Sequence, residues 1–195
     1  ELLETEKYAD YSRELFEMVL GQAHKFADEK LAPSNQEVDR EGVRLEDGQV
    51  YVPEAYEEIY DDFCEGGWMA PSHSVEYGGQ GLPAGLTLSA MEMFIAANSS
   101  FSFFSGLTSS GGHLIETYAT DELKELYVER LYTGEWTGTM CLTEPQAGSS
   151  VGDLKTSAEP VEGEDYFHIT GNKIFISQGD HQLADRSEEH TSELQ

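Results

Sequence analysis

Residues 139–155 read TMCLTEPQAGSSVGDLK, and residues 171–177 read GNKIFIS. The first segment begins like a strand and then halts at Pro145, where a loop of small residues starts. The second segment looks like a strand that returns beside the first. Because the residues ahead of this pair show helical periodicity instead, the sequence predicts an α+β fold in which helices lead into a sheet.

The part before residue 135 contains five predicted helices. The first is predicted to end at Pro33, and residues 37–49 are predicted to form a loop or a short extension. The second begins after Pro53 and ends at Gly66. The remaining three are predicted at about residues 84–97, 101–118 and 121–133.

Apolar side chains at three- and four-residue steps mark the faces that these helices are expected to bury. They are Tyr8, Tyr11, Leu15, Met18, Val19 and Phe26 in the first helix, Tyr56, Ile59, Tyr60 and Phe63 in the second, Leu88, Met91 and Ile95 in the third, and Leu123, Leu126, Tyr127 and Leu131 in the fifth. The fourth helix contains Gly106, Gly111 and Gly112, and interior glycines of this kind predict close approach of another backbone or a ligand.

The sheet is predicted from a change to two-residue periodicity after the fifth helix. Residues 136–142 read as a strand, and residues 156–160 as a second candidate. Residues 162–165 form a predicted turn. Residues 166–170 and 173–178 look like a hairpin around the pair Gly171–Asn172.

The charge of the chain is strongly negative, with 11 Lys plus Arg against 38 Asp plus Glu and a net charge of −27. Such a chain repels nucleic acid and anionic membranes, so neither is expected as a partner. No apolar run approaches the roughly 20 residues that a membrane-spanning helix needs. We interpret the acidity as a solvated surface, and adaptation to high salt is the alternative hypothesis.

The cysteines and histidines give no metal-binding pattern. Cys64 and Cys141 lie in unrelated segments and are interpreted as buried thiols of a reducing compartment, with a disulfide as the alternative. The six histidines are scattered along the chain, so no metal site is predicted.

The last ten residues, RSEEHTSELQ at 186–195, depart in composition from the region before them. They resemble one reading frame of a common DNA-sequencing adapter. We therefore expect a non-native tail here, and we expect the protein's own sequence in this chain to end at Asp185 as the front part of something longer.

The loop at residues 143–150 has the chemistry of a ligand-binding turn. Ala147 and Gly148 let backbone amides approach a ligand closely, while Thr143, Ser149 and Ser150 add hydroxyl groups. A flavin ring needs such edge contacts together with an apolar face, which Phe175 could supply from the returning strand. A tight turn that binds no ligand fits the same residues.

Several motifs resemble the acyl-CoA dehydrogenase family. CLTEPQAGSS at residues 141–150 is similar to the family's flavin-contact signature, and EYGGQGLP at 76–83 precedes it in the family's order. The stretches EGVRLEDGQVYVPEAY, EGGWMAP, GEWTGTMCLTEPQ and KIFISQGDHQLAD resemble the longer subfamily that includes methylmercaptopropionyl-CoA dehydrogenases. The resemblance covers nearly all of residues 1–185. It implies an all-helical N-terminal domain at 1–134 and the start of an antiparallel β-barrel-like domain at 135–185, with a C-terminal four-helix domain missing.

The resemblance also implies a FAD site. The positions that match the family's cofactor contacts are Met140, Leu142, Thr143, Gly148, Ser149, Phe175, Ile176 and Ser177, and Ser149 also matches a position near the bound acyl-CoA. Two positions depart from the pattern, because Ser150 stands where the family usually has Asp and Asp153 stands where it usually has a small residue. These departures bear on cofactor affinity.

The implied activity is FAD-dependent α,β-dehydrogenation of an acyl-CoA thioester, in which a glutamate takes the α-proton. That glutamate belongs to the family's C-terminal domain, so no catalytic residue is expected here, and Glu144 matches a structural position. The resemblance implies that an electron-transfer flavoprotein accepts the electrons and that the enzyme forms a homodimer or homotetramer. It also implies a location in the cytoplasm, or in the mitochondrial matrix if the source is a eukaryote. We expect the fragment itself to be inactive. The alternatives are an acyl-CoA oxidase or a flavin monooxygenase on the same scaffold, or a non-catalytic fragment without flavin.

Overall fold

A computed structural model describes residues 2–184 of the chain. The predicted non-native tail at 186–195 lies outside the described residues. Two compact units are present: one contains residues 2–138 and 180–184 of the described range, and the other contains residues 139–179. Each unit is described by itself below.

The first unit is helical, with one small hairpin. Its helices and strands, in chain order, are α1 Arg13–Phe26, α2 Ala32–Glu41, β1 Arg44–Glu46, β2 Gln49–Tyr51, α3 Ala55–Glu65, α4 Ala84–Ala97, α5 Ser99–Tyr118 and α6 Asp121–Thr133. The second unit contains the strands β3 Ser157–Pro160 and β4 Phe167–Thr170. Helices followed by short antiparallel strands confirm the predicted α+β class. Among residues 2–184, no helix combines the length and the apolar character that crossing a membrane requires.

The predicted end of the first helix at Pro33 is wrong. A π-helical segment, Ala27–Leu31, joins α1 to α2, and the amide of Ala32 donates to the carbonyl of Ala27, five residues back. Such a widened turn makes room for the proline ring, whose missing N–H costs little in the first turn of a helix. The loop predicted at 37–49 is also wrong, since α2 continues to Glu41.

The hairpin after α2 is short and antiparallel. Arg44 pairs with Tyr51, and Glu46 pairs with Gln49. The turn between the strands places Asp47 at φ 52° and Gly48 at φ 82°, a left-handed conformation that glycine and aspartate tolerate better than most residues.

The apolar core of the first unit is built around α3. The four residues predicted to face inward from this helix are buried, and Phe63 makes an edge contact with Phe94 of α4 at a centroid distance of 5.4 Å. Phe63 also contacts Phe101 of α5 at 5.4 Å. Edge-to-face packing of this kind adds to the stabilisation that burial supplies, so α3, α4 and α5 share one aromatic core.

The buried faces of the other helices agree only in part with the predictions. In α4, Leu88 and Ile95 are exposed, while Ala90 and Phe94 are buried. Because α4 is apolar nearly all round, its sequence pattern does not identify which face is covered. In α6, Leu123 and Leu126 are likewise exposed, and the buried residues are Val128, Leu131 and Tyr132. In α1, Met18 is exposed and Ala23 is fully buried, because α1 packs closely against α4.

Close packing accounts for one of the three interior glycines of α5. A Cβ at Gly112 would lie 2.5 Å from Cε1 of Tyr132 in α6. At Gly106 and Gly111 a Cβ would meet no described atom within 4 Å. The close neighbour at Gly112 is therefore a side chain and not the predicted backbone, and at the other two glycines no described protein atom comes close.

The second unit pairs β3 with β4, from Ser157 opposite Thr170 to Pro160 opposite Phe167. Residues 162–165 form the turn between these strands, as predicted. The hairpin predicted around Gly171–Asn172 is wrong, and so are the strands predicted at 136–142 and 173–178. A Cβ at Gly171 would overlap the side chain of Thr156, and beyond this residue the amide of Ile174 bonds to Thr143 instead of the chain pairing with β4.

The two cysteines differ in environment. Cys64 in α3 is half-buried and Cys141 is exposed, and both are free thiols. The interpretation of Cys141 as a buried thiol is therefore wrong, because residue 141 lies in an extended segment outside any strand.

Candidate functional site

The loop that follows Leu142 is closed by a pair of backbone hydrogen bonds. The amide of Glu144 donates to the carbonyl of Ala147, and the amide of Ala147 donates back to Glu144, both at 3.0 Å. Pro145 and Gln146 form the tip between them. The turn therefore has a fixed shape before any ligand binds.

The carboxylate of Glu144 holds this turn to the rest of the second unit. Glu144 is 3% exposed. It accepts hydrogen bonds from the amides of Lys155 at 2.8 Å and Thr156 at 3.0 Å, and from Nζ of Lys173 at 2.8 Å. Lys173 first, and then the bonds from Thr156 and Lys155, hold the pKa of Glu144 well below its usual range. An ionised carboxylate with its oxygens engaged in this way is an anchor and not a proton acceptor for a substrate.

The structure brings the two predicted flavin-contact segments side by side. The amide of Ile174 donates to the carbonyl of Thr143 at 2.9 Å, and Nζ of Lys173 donates to the carbonyl of Leu142 at 3.1 Å. The hydroxyl of Thr139 also donates to the carbonyl of Ser177. Residues 139–144 and 173–177 are thus joined along their length, although they do not form a regular ladder.

Most of the predicted cofactor-contact residues lie at the surface of this unit. Met140, Leu142 and Phe175 are exposed, and Phe175 has φ 58°, a left-handed conformation that bulky residues rarely adopt. Gly148 and Ser149 are exposed as well. Ser177 is exposed, and Thr143 and Ile176 are half-buried.

The residues present fit a flat ring that has an apolar face and a polar edge. A Cβ at Gly148 would meet no described atom within 4 Å, so the backbone of the turn is open to a ligand. The exposed apolar side chains of Met140, Leu142 and Phe175 come from the two joined segments. A flavin has this combination of apolar faces and hydrogen-bonding edge.

The two departures from the family pattern contact each other. The hydroxyl of Ser150 donates to Oδ2 of Asp153 at 2.8 Å across a single turn of 3-10 helix, Val151–Asp153. The carboxylate that the family usually carries at position 150 is therefore present three residues later, on the same turn and tied to Ser150.

A second group of potential metal ligands was not predicted from the sequence. His73, His113 and Glu116 come together in the first unit, with one potential ligand atom of each within 4.8 Å of the others. The i, i+3 spacing of His113 and Glu116 on a predicted helix was the available signal, but His73 lies 40 positions earlier, in a loop.

The chain is similar to a known protein family and to several curated enzymes. Residues 13–135 match the family described as acyl-CoA dehydrogenase, N-terminal domain. The 3-methylmercaptopropionyl-CoA dehydrogenase of Ruegeria pomeroyi is 40% identical over 161 residues, which are 83% of this chain and 27% of that protein. A butyryl-CoA dehydrogenase of Syntrophomonas wolfei is 35% identical over 187 residues, 94% of this chain and 30% of that protein. The chain thus spans less than a third of the length of these curated relatives.

Solved structures share the fold. The butyryl-CoA dehydrogenase of Megasphaera elsdenii superposes with a TM-score of 0.71 at 27% identity, over 87% of this chain and 42% of that one. A glutaryl-coenzyme A dehydrogenase in complex with glutaryl-CoA gives a TM-score of 0.70 at 26% identity, over 85% of this chain and 39% of that one. The resemblance found from the sequence motifs is confirmed.

Proposed function

Because this chain belongs to the acyl-CoA dehydrogenase family, we propose that it is part of a FAD-dependent enzyme that introduces an α,β double bond into an acyl-CoA thioester. In this proposal residues 1–134 form the helical N-terminal domain, and residues 135–185 supply one wall of the flavin site. The observation that carries the proposal is the turn anchored by Glu144, which lies against residues 173–177 and leaves an open backbone beside exposed apolar side chains.

Each residue of the wall has a proposed role. Met140, Leu142 and Phe175 cover one face of the flavin ring. Thr143 and Ile176, from the same two segments, also contact the cofactor. The hydroxyl of Ser177 reaches the reactive edge of the ring. The backbone of Gly148 and Ser149 faces the cofactor's phosphates, because glycine and serine at an exposed turn let amides approach an anion closely.

The reaction needs two further contributions. FAD, when bound, supplies the acceptor for the hydride that leaves the β-carbon. Ser149 donates a hydrogen bond to the acyl-CoA and holds it beside the ring. We assign the base that takes the α-proton to a part of the enzyme outside residues 2–184, since the carboxylate of Glu144 is buried and already bound by five donors from the chain.

The substrate proposed is a short acyl-CoA or thio-acyl-CoA. This follows from the names of two relatives, which act on 3-methylmercaptopropionyl-CoA and on butyryl-CoA. In this proposal an electron-transfer flavoprotein accepts the electrons from the flavin, and the enzyme forms a homodimer or homotetramer. Its proposed location is the cytoplasm, or the mitochondrial matrix if the source is a eukaryote.

The test uses the uninterrupted gene. The full-length protein is purified and mixed without oxygen with butyryl-CoA or 3-methylmercaptopropionyl-CoA, and the visible flavin band is followed. Bleaching that an electron-transfer flavoprotein reverses supports a dehydrogenase. Reoxidation by air with stoichiometric peroxide identifies an acyl-CoA oxidase instead, and a flavin that acyl-CoA does not bleach contradicts the proposal.

The proposed wall is tested by a pair of variants. Phe175→Ala removes an exposed aromatic ring from the wall, whereas Phe167→Ala removes one from β4, outside the two joined segments. We expect the first to weaken FAD binding about tenfold, equivalent to about 1.4 kcal/mol, and the second to leave it unchanged. Equal effects of the two substitutions on FAD binding would show that Phe175 does not contact the flavin. The 195-residue chain itself is expected to be inactive, and FAD titration of this fragment decides separately whether it binds the cofactor.

A further inference from the structure

A group of three potential metal ligands lies in the helical unit, which contains none of the residues assigned to the flavin. His113 and Glu116 are three positions apart on α5 and so project from the same face of the helix. His73 belongs to the loop between α3 and α4. One ring nitrogen of each histidine and one carboxylate oxygen of Glu116 all lie within 4.8 Å of one another.

Neighbouring side chains hold two of these ligands in place. The hydroxyl of Ser109 lies 2.8 Å from Nε2 of His73, and the ring of Tyr132 stacks on the same imidazole at a centroid distance of 4.6 Å. The hydroxyl of Tyr132 donates to Oε2 of Glu116 at 2.6 Å. Outer partners of this kind orient metal-binding imidazoles and carboxylates. If His73 keeps its bond to Ser109, Nδ1 is the nitrogen that it offers to a metal.

The exposure and the charge of the group also suit a metal. The side chain of His113 is 63% exposed, so an ion and a water molecule can reach the group from solvent. The strongly negative chain adds a general attraction for cations.

We propose that His73, His113 and Glu116 bind one divalent transition-metal ion of the zinc class, with a water molecule as the fourth ligand. Two imidazoles and a carboxylate are a ligand set that zinc uses, and imidazole discriminates against magnesium and calcium. A tetrahedral zinc site with bonds of about 2.0 Å places its ligand atoms about 3.3 Å apart. Side-chain rotation on metal binding closes the remaining gap. Binding ties the loop that carries His73 to α5.

The experiment titrates the metal-free chain with Co²⁺ and Zn²⁺ in about 0.15 M NaCl with millimolar Mg²⁺, which saturates the acidic surface. We expect one equivalent of Co²⁺ to give the visible absorption of a tetrahedral site, and Zn²⁺ to displace it. His113→Ala and Glu116→Gln should each weaken Zn²⁺ binding at least tenfold. His24→Ala, which removes an exposed histidine of α1 in the same unit, should leave binding unchanged.

Two results would overturn the proposal. One is several weak equivalents of Co²⁺ that Mg²⁺ displaces, which would identify the acidic surface as the binder. The other is stoichiometric binding that His113→Ala and Glu116→Gln leave intact. Circular dichroism of each variant checks the fold, and His113→Gln replaces any alanine variant that does not fold. Zn²⁺ should raise the unfolding temperature of the unaltered chain and not that of the His113 variants.

Discussion

Replacing Gly112 by alanine probes the contact between α5 and α6. The added Cβ would lie 2.5 Å from Cε1 and 2.9 Å from Cδ1 of Tyr132. This ring has little freedom to move away, because it is 2% exposed, stacks on His73 and donates its hydroxyl proton to Glu116. The clash therefore has to be relieved by a shift of the helices or by loss of those contacts.

Two opposing effects set the size of the change. Alanine in place of glycine inside a helix stabilises by about 0.5–1 kcal/mol, because the unfolded chain loses less freedom on folding. Overpacking a well-filled interior costs about 1–3 kcal/mol. Gly111→Ala experiences only the first effect, since a Cβ there meets no described atom within 4 Å. The two variants should therefore differ by about 1–3 kcal/mol, with Gly112→Ala the less stable.

Thermal and urea unfolding of the two variants measure this difference. For a domain of this size, 1 kcal/mol corresponds to about 2–4 °C in unfolding temperature. We expect Gly111→Ala to unfold slightly above the unaltered chain and Gly112→Ala several degrees below Gly111→Ala. Equal unfolding temperatures would refute the close contact between Gly112 and Tyr132. Because Tyr132 also orients His73 and Glu116, Gly112→Ala should weaken Zn²⁺ binding in parallel.

Three other predictions concern single side chains. Asn98 is fully buried at the start of α5, where its side-chain oxygen accepts hydrogen bonds from the hydroxyl of Tyr56 and the amide of Phe101. Asn98→Ala should therefore lower the free energy of unfolding, measured in urea, by about 2–4 kcal/mol. A loss below about 1 kcal/mol would contradict that role. Ionised Glu144 should stabilise residues 139–179 above about pH 4.3, the ordinary glutamate pKa, and lose that contribution as the pH falls towards its lowered folded pKa. Lys173→Met should flatten this acid loss in hydrogen exchange, and parallel pH profiles would contradict the pairing. Burial raises the pKa of the Cys64 thiol to about 11. At pH 8 iodoacetamide should therefore modify the exposed Cys141 rapidly and Cys64 slowly. Equal modification rates, measured by mass spectrometry, would contradict this prediction.

The burial of Asn98 also bears on a pattern in the sequence. Asn98, Ser99 and Ser100 match a glycosylation acceptor. The side chain of Asn98 is 0% exposed, and its amide nitrogen donates to Ser34 at 3.1 Å. In the folded chain this asparagine is a helix cap with a buried amide, and it offers no surface for a glycan.

The sequence predicted those features that depend on neighbouring residues. The bounds of α4 and the buried face of α3 follow from local periodicity and from the proline and glycines that flank them. The turn that starts at Glu144 follows from Pro145 and the small residues after it. Where a helix is apolar nearly all round, as α4 is, periodicity does not show which face is buried. Only the packing of neighbouring helices decides that Phe94 is buried and Leu88 is not.

Features that depend on distant residues were out of reach. The carboxylate of Glu144 selects Lys155, Thr156 and Lys173 as partners, and this choice decides that residues 173–177 lie beside 139–144 without forming the predicted hairpin with β4. His73 and His113 meet because the loop after α3 packs on Tyr132. Neither arrangement produces a residue spacing that can be recognised in a single sequence.

The pair formed by Ser150 and Asp153 shows how such a contact changes the meaning of a sequence difference. Taken separately, a serine in place of the family's usual aspartate and an aspartate in place of its usual small residue are two departures. Together they keep one carboxylate on the turn, hydrogen-bonded at 2.8 Å. Ser150→Asp alone would place two like charges in contact and should weaken FAD binding in the full-length protein. Ser150→Asp combined with Asp153→Gly restores the usual pattern and should recover it. Additive losses in this double-mutant cycle would show that the two positions act independently.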